Sequence, residues 1–190
     1  MSPTDKFGLI ILGLTMGVQI VRRPLLSYYL RWAFSLAIAG AFGVSAYWTV
    51  LQYQIWKADP ISKFLLPPHH GWDYFYSYAG QRIFAPWLIS LLAAILISRL
   101  AEFFNRRFDE RFFEKEEIAL IRLGVFLTGY PGFLFYIVLM FVAGLSLSLI
   151  YSLLRRGRAP LYYFWLPMAT VAILAVIWFI PESFLKLLAL

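Results

Sequence analysis

Long uncharged apolar runs recur from Phe7 to Ile180, and the Lys and Arg clusters fall almost wholly between them. That alternation constrains the chain more than any motif does, because it sets the solvent. Charged residues make up 14% of the chain, whereas soluble globular chains carry roughly a quarter. Too few charges exist to cover a water-facing surface, so most of the exterior must face lipid. The expected fold class is all-α: a polytopic transmembrane helical bundle of about six spans, forming a single integral membrane domain over 1–190.

The first run, Phe7 to Val21, is closed by Arg22-Arg23-Pro24. A crossing takes about 20 residues, so this span is short. The basic pair follows the run instead of preceding it, the reverse of a signal peptide, which predicts a retained anchor. The second run, Leu30 to Trp56, carries Ala37, Ala39, Gly40 and Gly43, small residues that let helices approach closely. Residues 57–81 are polar, aromatic and punctuated by Pro and Gly, and are expected as an ordered loop. A third span, Ile83 to Phe103, ends in Asn105-Arg106-Arg107. Phe108 and Phe112, four apart among acids and bases, predict a short cytoplasmic amphipathic helix before the fourth span.

Residues 118–154 hold no charge other than Arg122. As one helix they would run about 55 Å, nearly twice the hydrocarbon thickness. Gly129-Tyr130-Pro131-Gly132 is a turn signal inside this stretch. It divides the stretch into a short span over 117–128 and a full one over 133–154. After Arg155-Arg156-Gly157-Arg158 comes the last span, 161–180, where Pro167 predicts a kink.

Six spans put 12 of the 17 basic residues on one side, including Arg22, Arg23, Arg106, Arg107, Arg111, Lys115, Arg155, Arg156 and Arg158. The excess of basic loops makes that side cytoplasmic and the location an inner (plasma) membrane, with both termini outside. A five-span arrangement would strand the Arg155 cluster on the far side, so the charge pattern favours six. The net charge of +7 belongs to these flanks, which suit anionic lipid headgroups. Membrane lipids are therefore the expected partners, and no nucleic acid is.

Candidate chemistry rests on ionisable groups in or beside the spans. Glu116 and Glu117 open the fourth span, with Glu114 just before them and Arg122 further in. Close carboxylates can share a proton; the alternative is that acids complement a helix dipole. Glu102 and Arg99, three apart, can pair along one helical face. Glu102, Glu116 and Glu117 are the candidate catalytic residues. His69, His70 and Asp73 invite a metal, but adjacent His side chains diverge and no second ligand pair exists, so no metal and no cofactor is expected. There is no cysteine, no Gly-rich phosphate loop, no Gly-x-Ser-x-Gly elbow and no His-Glu-x-x-His pair.

The run from Glu116 to Leu134, with Gly124, Gly129-Tyr130-Pro131-Gly132 and the long span after them, resembles the segment of type IV prepilin peptidases that follows their second catalytic aspartate. The basic loop and proline-bearing last span continue the likeness, which covers roughly residues 80–180 in span order. That family uses two cytoplasmic aspartates to activate a water and cleave a pilin leader, so pilin-like substrates or other membrane proteins are the partners the resemblance implies. Here the second aspartate falls at Glu116 or Glu117, charged residues replace the glycines before it, and no acid stands between Gln19 and Pro24. Adjacent glutamates diverge by about 100° on a helix and make a poor water-activating pair.

The resemblance therefore implies a non-catalytic scaffold or partner-binding protein on that fold. The alternatives are a small transporter, lipid-handling protein or envelope-complex subunit of unrelated ancestry, and, behind both, an aspartic-type endopeptidase using glutamates.

Overall fold

A computed structural model describes residues 3–21, 23–108, 113–154 and 161–179. They form seven α-helices: α1 (Pro3–Val21), α2 (Arg23–Ala58), α3 (Trp72–Ala79), α4 (Ala85–Arg107), α5 (Lys115–Thr128), α6 (Gly132–Leu153) and α7 (Trp165–Trp178). The remaining elements are short helical turns, and no strand occurs among the described residues. Four helical runs are long and apolar enough to cross a membrane: Tyr28–Ala58, Trp72–Arg107, Gly132–Leu153 and Leu161–Trp178. The outer faces are largely apolar; on α6, for instance, Phe141 and Leu145 are 68% and 70% exposed. This is an all-helical, membrane-embedded protein.

A short helix, α5, is the central one. Every residue of α5 from Leu123 to Leu127 is buried, and α1, α2, α4, α6 and α7 all pack on it. Its 14 residues extend about 21 Å, less than a hydrocarbon layer. A helix surrounded by protein need not match the bilayer, because its neighbours satisfy that requirement. The turn after it is also self-satisfied: Gly129 N–H donates to the Phe126 carbonyl at 3.1 Å and Phe133 N–H to the Gly129 carbonyl at 2.8 Å. Backbone that leaves the helix at membrane depth is tolerated only when so paired. Gly129 has φ +66°, a conformation glycine adopts without steric cost.

Lipid tails are as apolar as leucine, so helix association in a membrane depends on close packing instead of on burial from water. The small residues do this here. On α2, Ala33, Ala37, Ala41 and Ser45 recur every four residues and are buried; on α4, Ser90, Ala94 and Ser98 do the same. Their hydroxyls are returned to the backbone, Ser90 to the Pro86 carbonyl at 2.8 Å and Ser45 to the Ala41 carbonyl at 2.9 Å. Of the four small residues expected to bring helices together, Ala37 is buried and Gly40 faces the Phe7 ring of α1. Ala39 and Gly43 instead face outward, since they lie off the stripe. At Gly124 an added Cβ would stand 2.8 Å from the Tyr136 hydroxyl of α6, so glycine sets the α5–α6 spacing.

Two expectations change. The segment 57–81 is not a loop throughout: α3 occupies its second half and continues through a wider π turn, Gly80–Phe84, into α4. Proline at 86 lacks an N–H and crowds the preceding turn, and a π turn directly before it widens the helix there. Tyr53 and Trp56 of α2 pack against Leu66, Phe75 and Tyr78 to form a second, separate aromatic core at this end. The amphipathic helix expected over 108–117 falls partly on 109–112, outside the described residues. Of the rest, Phe108 is a turn closing α4 and Glu114 is extended, as an N-cap must be. Pro167 lies in the first turn of α7, where its missing N–H disrupts no helical bond.

Candidate functional site

Polar side chains converge where α1, α4, α5 and α7 come together. Asn105, two residues before the end of α4, grips the backbone of Phe113 from both sides. Its Nδ2 donates to the Phe113 carbonyl at 2.8 Å and its Oδ1 accepts from the Phe113 N–H at 3.0 Å. The Phe113 ring lies 5.9 Å from that of Trp165. At the end of α1, buried Gln19 donates through Nε2 to the Tyr162 carbonyl at 2.8 Å. These contacts bring the chain near Gln19, Arg106, Glu114 and Tyr162 to one end of the bundle. Arg22, Arg111 and Arg155–Arg158 lie outside the described residues, but each adjoins one of these anchored points in sequence.

Glu117 sits in the middle of this end, 8% exposed. It and Glu114 form a reciprocal capping box: the Glu114 side chain accepts from the Glu117 N–H, and Glu117 Oε2 accepts from the Glu114 N–H at 2.9 Å. Its other oxygen, Oε1, accepts from the Trp165 indole N–H of α7 at 3.3 Å. Both oxygens therefore have structural tasks, one closing the start of α5 and one fastening α7 to it. A helix start buried without such a cap would leave N–H groups unpaired.

The other two candidate acids are placed differently. Glu116 is half-buried and makes no hydrogen bond or ion pair among the described residues. Glu102 pairs with Arg99 across 3.5 Å along its own helix, with the arginine side chain 76% exposed. Arg122 is half-buried, its guanidinium 4.8 Å from the centre of the Phe34 ring. Its Nε is buried and finds no acceptor among the described residues.

At the opposite end, Asp59 accepts from the N–H groups of Ser62 and Ile61 at 2.6 and 3.2 Å. The Ser62 N–H, helped by its hydroxyl, holds this carboxyl below the usual range. His69 and His70 are exposed and lie beside the rings of Phe64 and Tyr74. No three His, Asp or Glu residues come together as metal ligands among the described residues.

An apolar groove of about 200 Å³ runs beside the Asn105–Glu117 end, walled by Ile97 and Ala101 of α4 and by Ile137, Met140 and Phe141 of α6, with Ile121 and Val125 of α5 as its floor. It admits hydrocarbon and offers almost nothing to a polar ligand.

Asn105 and Gln19 were missed by sequence reasoning. Their partners lie eight and 143 residues away, and no local pattern marks such pairings. A buried amide beside a span end is the only signal either carries. No protein-family model, no curated protein and no solved structure matches this chain.

Proposed function

We propose that this chain is a non-catalytic scaffold or partner-binding protein of the inner membrane. In this reading α1 and α5 join the four longer runs as crossings, six in all, with the basic loops cytoplasmic, on a membrane domain of the prepilin peptidase type. The observation that carries it is the state of Glu117. A carboxyl pair that activates water needs two carboxyls in reach of the same water, with their geometry not already committed to other partners. Glu117 instead holds the Glu114 N–H and the Trp165 indole, Glu102 is paired to Arg99, and Glu116, the next residue on the helix, diverges from Glu117 by about 100°. The six-crossing arrangement is supported by the convergence of the Gln19, Arg106, Glu114 and Tyr162 regions at one end.

A leader-peptide cleavage assay on the wild type and on the Glu116→Gln/Glu117→Gln double variant tests the absence of catalysis. No cleavage by either is expected; cleavage by the wild type that the double variant loses would restore the acid-protease reading. A lipid-handling role is the second reading, favoured by the apolar groove between α4 and α6. It predicts lipid transfer between vesicles, which a scaffold would not perform.

A further inference from the structure

Arg122 is a full positive charge set against aromatic rings with no counter-charge among the described residues. Phe34 of α2 lies under its guanidinium, and Phe126, one turn along α5, meets Phe34 edge-on at 5.7 Å. A cation–π contact offsets only part of the cost of such placement. Among the described acids, Glu117 is engaged with Glu114 and Trp165 and Glu102 with Arg99, and Glu116 makes no ion pair with it. Its Nε–H has no acceptor among the described residues. The geometry lacks an anion.

The surroundings indicate which anion. α2 meets the α3–α4 run where Phe42 stacks on Phe84. Closer to the basic end, Phe126 lies between Phe34 of α2 and Trp87 of α4. Arg122, one turn from Phe126 on the same face of α5, lies over Phe34 of α2 on the basic side of that aromatic contact. It is seven residues from the start of α5, about 10 Å along the axis, within reach of the boundary for a long flexible side chain. Arg31 precedes Phe34 by three residues and so shares its face, one turn nearer the basic end. It is exposed, and it is flanked by exposed Tyr28 and Trp32, the residue types that mark the headgroup level.

We propose that Arg122 and Arg31 form a notch that binds the phosphate of an anionic phospholipid, drawn inward between α2 and α4. A guanidinium fork matches phosphate oxygens in pairs, and anionic lipids collect at a basic membrane face. The bound lipid supplies the missing acceptor and ties α2 to α5 without any further protein contact. Of the reading proposed above, the proposal rests only on the membrane placement of the helices. Its failure with an intact six-crossing topology would leave the function proposed above standing.

Native mass spectrometry of the delipidated protein, titrated with phosphatidylglycerol, reads this directly. One tightly held phosphatidylglycerol per chain is expected, weakened at least about tenfold by Arg122→Gln, the loss of a charge-assisted bond. Arg122→Lys, which keeps the charge but not the planar fork, and Arg31→Gln, which leaves Arg122 in place, serve if Arg122→Gln does not fold and should each show an intermediate loss. Phosphatidylcholine should bind more weakly and equally to all four proteins. Unchanged phosphatidylglycerol affinity in the folded Arg122 and Arg31 variants would overturn the proposal. So would equal binding of phosphatidylcholine, displacement of the lipid by inorganic phosphate, or stronger competition by a transmembrane peptide carrying one glutamate.

Discussion

Trp165 of α7 donates its indole N–H to Glu117 of α5 across 3.3 Å, in a protein whose helices are packed mostly through apolar and small side chains. The same carboxylate caps its own helix through the Glu114 N–H, so one side chain organises two elements. Replacing it by alanine removes a helix cap, worth about 0.5–2 kcal/mol, and leaves a buried indole N–H unpaired, about 1–3 kcal/mol more. Glu117→Ala should therefore lower the unfolding midpoint in detergent clearly. Glu116→Ala, which breaks no described bond, should stay within about 0.5 kcal/mol of wild type. Equal effects of the two substitutions would contradict the assignment.

Asn105→Ala should cost about 1–3 kcal/mol, because it strips both partners from the Phe113 backbone. Asn105→Asp keeps the acceptor for the Phe113 N–H but sets a carboxylate against the Phe113 carbonyl, so it should not rescue. Amide exchange at Phe113, slow in the wild type, should accelerate in both variants; unaltered protection there would show that the grip is not what orders this segment.

At Gly124 the added methyl of alanine would collide with the Tyr136 ring and hydroxyl, at 2.8 and 2.9 Å for Oη and Cζ. Overpacking of this kind costs about 1–3 kcal/mol. The Tyr136 hydroxyl is buried without a partner among the described residues, so Tyr136→Phe should be neutral or stabilising. The double variant should recover part of the loss, a coupling that a thermodynamic cycle measures. Strict additivity would contradict the contact.

Asp59 offers a pH test outside the spans. Its folded carboxyl titrates below its ordinary value of 3.8, chiefly because the Ser62 N–H favours the charged form. The turn therefore gains from Asp59 above pH 3.8 and loses that gain as pH falls through the lower folded value. A chemical-shift titration of Asp59 should show a midpoint under 3.8 that returns to it in unfolded protein. The Ser62→Ala variant removes only the hydroxyl and should leave most of the depression in place.

The sequence made some of this legible and hid the rest for physical reasons. The break at Gly129–Gly132 was readable because an uninterrupted helix would overrun the bilayer, and α5 and α6 do part there. The pairing of Arg99 with Glu102 followed from their three-residue spacing. The α3 helix was not readable: Trp72-Asp73-Tyr74-Phe75-Tyr76 is rich in residues of modest helix propensity, and its order comes from packing on Tyr53 and Trp56. Glu117 was marked as an acid beside a span, but its role depends on a tryptophan 48 residues away. Asn105 and Gln19 carried no pattern at all, since one well-aimed amide has no periodicity.

The arrangement of crossings underlies everything proposed, and the natural absence of cysteine makes it directly measurable. Single cysteines introduced as Arg107→Cys, Arg156→Cys and Lys63→Cys should react with a membrane-impermeant thiol reagent in intact and opened vesicles. Positions 107 and 156 are predicted to label from the same face and position 63 from the other. Labelling of 107 and 156 from opposite faces would contradict the account.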